Sequence, residues 1–458
     1  MKRNGNHKRR IRRRVILPVL IIAIAGGLWY LQALLPIMTG YVAKNLASGI
    51  FVAGRSQQSL EEKDLHFSIL PLTHNNVDYK HHEVISRFLG YQSRAIYIKG
   101  YGCILVNGYS PFEIRNRPYQ QIAALPLHPD SIPWPLGNRM DTTMPPQINR
   151  KKLQQAVQKI MSDTIPFKGT FGLMILYKDQ PIAEVYREGF NRHTRFLSWS
   201  MAKSFMNTLI GIRVDEGKIN IDRPLHLKEW KEGDPRQRIN LNNLMQMNSG
   251  LQWNESYGSL SDVTIMLHEI GNMGHYAAMK PLKYPPDSVW TYSSGSANLV
   301  SLVLRRNFSS DSAYYRFPRE KLFNPLGMRS AIFEVDASGT FVGSSYLYAT
   351  LRDFARYALL YLHNGNWLGK QILPVNWVHY TVSPAKGSGG NYGSFFWLNR
   401  GRKNQPSAPE DTYLCEGHDG QYIIIIPSKQ LIVVRTGFSK PGDFKTNAML
   451  REILKSLQ

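Results

Sequence analysis

Ser200 and Lys203 are the residues of this chain whose types and spacing most directly suggest chemistry. A serine hydroxyl is a useful nucleophile only when a base takes its proton. At positions i and i+3 of a helix two side chains share a face, so the amine of Lys203 can reach the oxygen of Ser200. Burial in the positively polarised start of a helix lowers the pKa of a lysine. The backbone N–H of Ser200 can also face a developing oxyanion. The pair predicts nucleophilic catalysis.

The stretch that carries this pair, FLSWSMAKSFMNTLIG (residues 196–211), has the pattern of a helix. Its apolar positions recur at spacings of three and four, which places them on one stripe: Met201, Phe205, Leu209 and Ile212. Ser200 and Lys203 fall in the first turn, where a lysine is electrostatically unfavourable. Such a violation of a local rule favours a functional explanation.

The tetrapeptide alone is weak evidence, because Ser383 and Lys386 have the same spacing. That second copy contains Pro384 and is followed by GSGG, so it predicts a surface loop rather than a helix start. For the first copy, the four residues alone leave open a simpler interpretation, in which Ser200 only caps a helix and Lys203 is solvated.

Around this helix the sequence predicts an antiparallel sheet with helices on its faces. Residues 151–161 have the spacing of an amphipathic helix, and residues 446–457 suit a closing helix. Residues 169–187 and 421–437 each read as two β-rich runs separated by a polar turn. Before them, residues 94–106 predict a strand, a glycine turn and a second strand. Residues 107–148, rich in Pro, Asn and Gly, predict an ordered crossing segment rather than a helix or strand.

The N-terminus predicts a membrane anchor. Residues 1–14 contain eight Lys or Arg and no acid, and the 24 residues 15–38 are almost all apolar. A bilayer core needs roughly 20 such residues, whereas the apolar part of a cleaved signal peptide has about 7–15. The basic head keeps this end cytoplasmic and sends the body outward. The alternative is a signal peptide cleaved near residues 47–49. A weaker alternative is that the basic residues 1–14 bind nucleic acid.

The bulk composition is that of a globular protein. Of the 458 residues 43% are hydrophobic and 19% charged, with a formal net charge of +23. The two cysteines, Cys103 and Cys415, exclude a disulfide-rich scaffold.

Four stretches together resemble the serine hydrolases related to class C β-lactamases. They are the S-W-S-M-A-K run with VDEGKINIDRPL at 214–225, LMQMNSGLQW at 244–253, PPDSVWTYSSGSANLVSLVL at 285–304, and CEGHDGQYIIIIP at 415–427. The resemblance covers about residues 150–458. It implies an α/β (α+β) fold of the β-lactamase/transpeptidase type, with an antiparallel sheet, flanking helices and a helical subdomain.

The resemblance assigns roles to individual residues. Ser200 matches the acylated nucleophile, Lys203 its base, and Tyr292 the tyrosine that passes a proton to the leaving group and helps to activate the deacylating water. The alternative interpretation of Tyr292 is a tyrosine of the hydrophobic core without a chemical role. Ser294 stands where β-lactamases usually have an asparagine that contacts a substrate amide.

The third motif departs further from the family pattern. His418, Asp419 and Gly420 occupy the place of Lys-Thr-Gly, and the backbone N–H of Gln421 is expected to complete the oxyanion hole. A neutral histidine replaces a fixed positive charge there, which weakens recognition of a carboxylate. Alternatively, His418 is a strand-edge residue without a chemical role.

The sequence thus predicts an exported, membrane-tethered serine hydrolase. The combination Y-S-S, H-x-G-Q and S-G-L-Q-W resembles the branch of 6-aminohexanoate-dimer hydrolase and related esterases, which implies linear amides or carboxyl esters as small-molecule substrates. The alternatives are a β-lactamase or a D,D-peptidase acting on cell-wall peptides, and a non-catalytic tethered binding protein. No cofactor, metal or nucleic-acid partner is implied, and the oligomeric state stays open.

The predicted domains are a cytoplasmic head (1–14), a transmembrane anchor (15–38), an N-terminal appendage with the crossing segment (39–150) and the hydrolase domain (151–458). This order places the protein in a bacterial inner membrane, with the catalytic domain facing the periplasm or the cell exterior.

Overall fold

A computed structural model describes residues 4–120, 122, 128–141, 143–162, 169–439 and 444–457, with side chains from residue 16 onward. The helices are α1 (Asn4–Phe51), α2 (Gln57–Ser59), α3 (Pro111–Arg115), α4 (Arg150–Met161), α5 (Ala202–Asp215), α6 (Leu241–Met245), α7 (Asp262–Glu269), α8 (Met273–Ala278), α9 (Ser294–Arg306), α10 (Asp311–Pro318), α11 (Leu351–Leu362), α12 (Val375–Thr381) and α13 (Thr446–Leu454). The strands are β1 (His74–Asp78), β2 (Glu83–Phe88), β3 (Tyr91–Ile98), β4 (Gly102–Leu105), β5 (Gly169–Tyr177), β6 (Gln180–Tyr186), β7 (Phe196–Leu197), β8 (Ile332–Phe333), β9 (Leu347–Ala349), β10 (Asn366–Trp367), β11 (Lys370–Gln371), β12 (Trp397–Leu398), β13 (Tyr413–Gly417), β14 (Gln421–Ile426) and β15 (Leu431–Phe438).

The central sheet has six antiparallel strands in the order β12-β13-β14-β15-β5-β6. Both predicted hairpins are present in it, and β15 joins them by pairing with β5. Side chains of β14 alternate between two cores, with Ile423 and Ile425 on one face and Ile424 and Ile426 on the other. Burial on both faces explains the unbroken apolar run of this strand.

Helices cover the two faces of this sheet. The predicted helices α4 and α13 contact one another on one face, and α11 contacts β5, β14 and β15 on the other. Behind α11 lies α5, whose residues from Ala202 to Ile212 are all buried. The helix predicted to have one apolar stripe is therefore enclosed on all sides, which holds its first turn rigidly beside the sheet.

The N-terminal helix differs from its predicted bounds. The apolar stretch expected to end at residue 38 continues as helix α1 to Phe51. From Ile16 to Leu31 its large apolar side chains are exposed, whereas Val42 and Leu46 are fully buried. The helix meets the membrane criteria of length and composition. Its second half packs instead against β2, β3 and β4.

The appendage is more regular than predicted. The expected hairpin β3–β4 belongs to a four-stranded antiparallel sheet in the order β1-β2-β3-β4. A buried ion pair joins this sheet, α1 and the hydrolase domain: Lys44 Nζ lies 2.5 Å from Glu334 Oε2, and the other oxygen of Glu334 accepts from Ser48 Oγ and Cys103 N. Cys103 and Cys415 are both buried free thiols.

Candidate active site

The proposed nucleophile sits on a tight turn. Residues Trp199–Met201 form one 3-10 turn directly before α5, and Ser200 is its middle residue. Trp199 has a φ of +46°, in the left-handed region that a bulky side chain seldom adopts. Such strain persists only where the surroundings impose it, and it is common at active sites. Here it presents Ser200 to the cavity described below.

Lys203 contacts Ser200 as the spacing predicts. Its Nζ lies 2.9 Å from Ser200 Oγ, 3.1 Å from Ser294 Oγ and 3.1 Å from the backbone oxygen of Ser344. A neutral amine has two N–H groups and one lone pair. Since Ser294 and Ser344 accept the two N–H groups, the lone pair is left for the hydroxyl proton of Ser200.

The protonation of Lys203 follows from its burial. The side chain is 1% exposed, and desolvation lowers its pKa to about 8, against the opposing effect of the negative charge on Glu255. A general base works best when its pKa lies near the operating pH. Lys203 is thus poised to take a proton.

Tyr292 lies on the other side of the nucleophile, just before the start of α9. Its hydroxyl hydrogen-bonds Ser200, and the Nζ of Lys203 lies 4.8 Å from its ring centroid. Burial, together with the nearby Glu255, raises the pKa of Tyr292 well above its usual value. Tyr292 therefore keeps its proton at neutral pH and can donate it.

Glu255 is a site residue that the sequence motifs did not reveal. Its Oε1 accepts a 2.5 Å hydrogen bond from Ser294 Oγ, and its Oε2 accepts from the backbone N–H of Ser294 and from Trp253 Nε1. Ser294 thus connects the Lys203 amine to a carboxylate, and its contact with substrate stays a prediction. The local signal is weak, because an acid three residues after an S-G-L-Q stretch has no diagnostic pattern.

His418 begins a 3-10 turn between β13 and β14. Its ring stacks on Tyr257 at 4.5 Å and meets the edge of Trp199 at 5.6 Å. Burial lowers its pKa to about 4, so the ring is neutral at physiological pH. Gly420 in the same turn has a φ of +81°, and a Cβ there would lie 2.2 Å from Arg435 Nη1. A glycine is required at this point.

Gln421 uses its side chain inside the sheet. Its Nε2 donates to the backbone oxygen of Gly437 at 2.6 Å, and its Oε1 accepts from the N–H of the same residue. Gly417, the last residue of β13, packs closely on the segment before the nucleophile, since a Cβ there would lie 2.2 Å from the backbone oxygen of Ser198. The backbone N–H of Gln421 as an oxyanion donor stays a prediction.

These elements enclose a cavity of about 200 Å³, called here the site cavity. Its lining residues are Ser200, Glu255, Tyr257, Tyr292, Trp397, Glu416, Gly417, His418, Asp419, Gly420, Tyr422, Ser439 and Phe444. Burial raises the pKa of Glu416 in this lining to about 7. Three of these described lining residues are acidic and none is Lys or Arg, although residues 440–443 beside Ser439 lie outside the description.

Neither residue of the second S-x-x-K copy lines this cavity. Ser383 follows α12 and donates to the backbone oxygen of His379, while Lys386 pairs with Asp287 on the surface at 3.0 Å. Ser383 and Lys386 are thus a surface turn, as predicted.

Comparison with known proteins agrees with this arrangement. The β-lactamase family model matches residues 169–454, well over half of the chain. The chain belongs to the β-lactamase family. The predicted resemblance to the serine hydrolases of this family, and the predicted fold, are confirmed.

Solved structures of the β-lactamase fold superpose on most of the chain. A protein described as a 6-aminohexanoate-dimer hydrolase from Bacillus anthracis aligns with a TM-score of 0.55 at 20% identity, over 71% of this chain and 87% of its own. One described as a β-lactamase from Bacteroides dorei DSM 17855 gives 0.54 at 16% identity, over 68% and 99%. EstCE1, a hydrolase with promiscuous acyltransferase activity, gives 0.54 at 15% identity, over 67% and 98%. At these identities the likeness establishes the common fold.

Proposed function

We propose that this protein is a membrane-tethered serine hydrolase that cleaves carboxyl esters or linear amides through an acyl-enzyme on Ser200. The observation that carries the proposal is the hydrogen bonding of Lys203. In its neutral form, both N–H groups of this amine have acceptors other than Ser200. Its lone pair is therefore directed at the nucleophile, and its pKa of about 8 leaves an appreciable neutral fraction at neutral pH.

The reaction follows from these positions. Ser200 Oγ attacks the substrate carbonyl carbon while its proton passes to Lys203 Nζ. The oxyanion is stabilised by the backbone N–H of Ser200 and, as predicted from the family, of Gln421. When the C–O or C–N bond breaks, Tyr292 gives its proton to the leaving group and recovers one from Lys203. Water then hydrolyses the acyl ester by the reverse sequence of proton transfers.

The electrostatics of the site cavity favour neutral substrates. The described lining contains Glu255, Glu416 and Asp419 but no Lys or Arg, and His418 is neutral, so this lining offers a substrate carboxylate no fixed cation. This argues against the alternative of a β-lactamase or a D,D-peptidase, whose substrates carry a carboxylate. The alternative of a non-catalytic binding protein is disfavoured because the nucleophile, base and proton donor are mutually in contact.

The burial pattern of α1 supports a retained anchor over a cleaved signal. Cleavage near residues 47–49 would cut a helix whose Ala47 and Ser48 are fully buried, and would remove Lys44 from Glu334. The exposed apolar part, residues 16–31, spans about 24 Å at the helical rise, most of the roughly 30 Å hydrocarbon thickness of a bilayer. The basic head supports an inner-membrane location with the catalytic domain outside.

The test is hydrolysis of p-nitrophenyl butyrate by the full chain in isolated membranes. Ser200→Ala should abolish the activity, because it removes the nucleophile, while Ser383→Ala serves as the matched control and should retain it. The wild-type activity should stay with the membranes after a high-salt wash. Undiminished turnover by Ser200→Ala would refute the assignment, and an acyl adduct on Ser200 in the intact mass would support it directly.

A further inference from the structure

A second cavity, of about 300 Å³, lies between α1 and the candidate active site. We call it the helix cavity. Four residues of α1 line it, namely Leu34, Ile37, Met38 and Tyr41. They follow directly on the exposed apolar part of the helix, which ends near Leu31. The wall of the cavity is therefore the continuation of the predicted membrane span.

The facing wall is also largely apolar. Phe67, Ile69 and Leu70 line it from the segment after α2, and Phe438 lines it from the end of β15. Of the polar lining residues, Thr264 has its hydroxyl committed to the backbone oxygen of Ser259 at 2.7 Å. An apolar cavity of this size suits a hydrocarbon group better than a polar one.

The helix cavity adjoins the site cavity. Tyr257, His418 and Asp419 line both of them. Trp199, the residue before the nucleophile, also lines the helix cavity, and Tyr41 of α1 stacks on it at 6.4 Å. A chain held against Tyr41 and Trp199 would thus end beside Ser200.

Part of the lining of the helix cavity reaches the protein surface. Ile69 lines the cavity and is still 38% exposed, and Leu72, one turn later, is 55% exposed. Exposed apolar side chains beside a membrane helix are expected to contact lipid rather than water. The cavity therefore opens where lipid chains would be found.

We propose that the helix cavity holds the hydrocarbon chain of a membrane-derived amphipathic ester or amide, whose carbonyl reaches Ser200. This inference rests on the proposed function and specifies its substrate class. The acidic lining of the site cavity is compatible with this substrate, because the carbonyl end of such a lipid brings no carboxylate into it. Tethering by α1 then does more than localise the enzyme, since the same helix forms the entry path for the substrate.

The test compares kcat/KM for p-nitrophenyl esters from acetate to decanoate, and for acetate esters of alcohols of the same lengths, using the full chain in membrane vesicles. Each buried methylene raises kcat/KM by up to about four-fold. In one of the two series, the longest substrate should exceed the shortest by at least about ten-fold.

Leu34→Trp fills the helix cavity from its half-buried rim and should lower that ratio about ten-fold. Leu28→Trp makes the same change on the exposed part of α1, two turns earlier, and should leave the ratio unchanged. Leu34→Ala widens the cavity instead and should move the optimum toward longer chains, which tests the proposal even if the tryptophan variant misfolds.

The outcomes separate the two proposals. Two results would overturn the lipid substrate while leaving the proposed hydrolase function standing. One is Ser200-dependent hydrolysis with no preference for longer chains in either series. The other is the same chain-length preference in all three Leu variants. If Ser200→Ala hydrolyses every ester as fast as wild type, the proposed function itself fails, and the substrate inference with it.

Discussion

Replacing Glu255 by glutamine should move the pH dependence of hydrolysis to lower pH. Lys203 acts as a base only in its neutral form, so kcat/KM of the wild type should rise with pH, with a midpoint near its pKa of about 8. The negative charge of Glu255 stabilises the lysine ammonium and raises this pKa. Without that charge the ammonium is less stable, the pKa falls, and the base becomes active at lower pH.

The size of the effect follows from the geometry. Lys203 Nζ and Glu255 Oε1 are joined through one atom, Ser294 Oγ, by hydrogen bonds of 3.1 and 2.5 Å. Two unit charges about 5 Å apart, at an effective dielectric constant of about 20, interact by roughly 3 kcal/mol. With partial relaxation, the midpoint should fall by about one to two pH units. The maximal rate should also fall, because a glutamine amide has one oxygen and cannot accept from Ser294 Oγ on one side and from Ser294 N–H on the other, as the carboxylate does.

The assay is kcat/KM for a short neutral ester between pH 5.5 and pH 10. Glu416 must be separated from Lys203, because its pKa of about 7 lies within the same range. The profile is therefore also measured in Glu416→Gln, alone and combined with Glu255→Gln. Glu320→Gln, a charge change on the surface, is the matched control and should retain the wild-type midpoint. A midpoint that stays at the wild-type value in both Glu255 variants would refute Lys203 as the base that Glu255 tunes.

Two further changes test the third motif and the attachment of α1. His418→Lys replaces a neutral ring by a permanent positive charge, and a charge-assisted hydrogen bond is worth roughly 1.5–3 kcal/mol. The ratio of kcat/KM for a carboxylate-bearing ester to that for its neutral analogue should therefore rise about ten-fold or more. An unchanged ratio would mean that residue 418 does not face the substrate. Lys44→Met leaves Glu334 buried without its cation and should lower the free energy of unfolding by about 3–5 kcal/mol. The double variant Lys44→Met with Glu334→Leu should recover much of this stability. Equal thermal-unfolding midpoints for the single and double variants in detergent would contradict the pairing.

Local pattern was sufficient for elements whose signal is contained in a few neighbouring residues. Both hairpins of the central sheet, helices α4 and α13 and the turn at Ser383 follow from periodicity, turn residues and Pro384. Helix α1 continues beyond the predicted apolar stretch of residues 15–38, and the reason is physical. Hydropathy detects apolar residues and does not distinguish those exposed on the surface from those that face a protein core, and the side chains of α1 change from exposed to buried near residue 34. Strands β1 and β2 were missed because exposed and charged side chains interrupt their alternation.

In the candidate site, too, the contacts between near neighbours in sequence could be predicted and those between distant segments could not. Ser200 and Lys203 are neighbours along one helix, so their spacing predicts their contact. Glu255 enters the site from a loop about fifty residues later and acts through Ser294, which itself comes from α9. No local pattern encodes such a connection between three segments. The resemblance to known hydrolases assigned Ser294 a substrate contact for the same reason, because the motif carries no information about the carboxylate behind it.

The strained turn at Trp199 connects the chemistry to the anchor. Its φ of +46° sets the direction of Ser200, and its indole is held between Tyr41 of α1, Tyr346 and His418. An unfavourable backbone conformation requires surroundings that impose it, and one of these contacts comes from α1, the proposed membrane helix. A fragment starting after α1 would lose that contact, and Glu334 would lose its cation. The N-terminal helix is thus a structural part of the nucleophile's environment as well as the proposed tether, and this arrangement is the one expected if the enzyme draws its substrate from the lipid beside it.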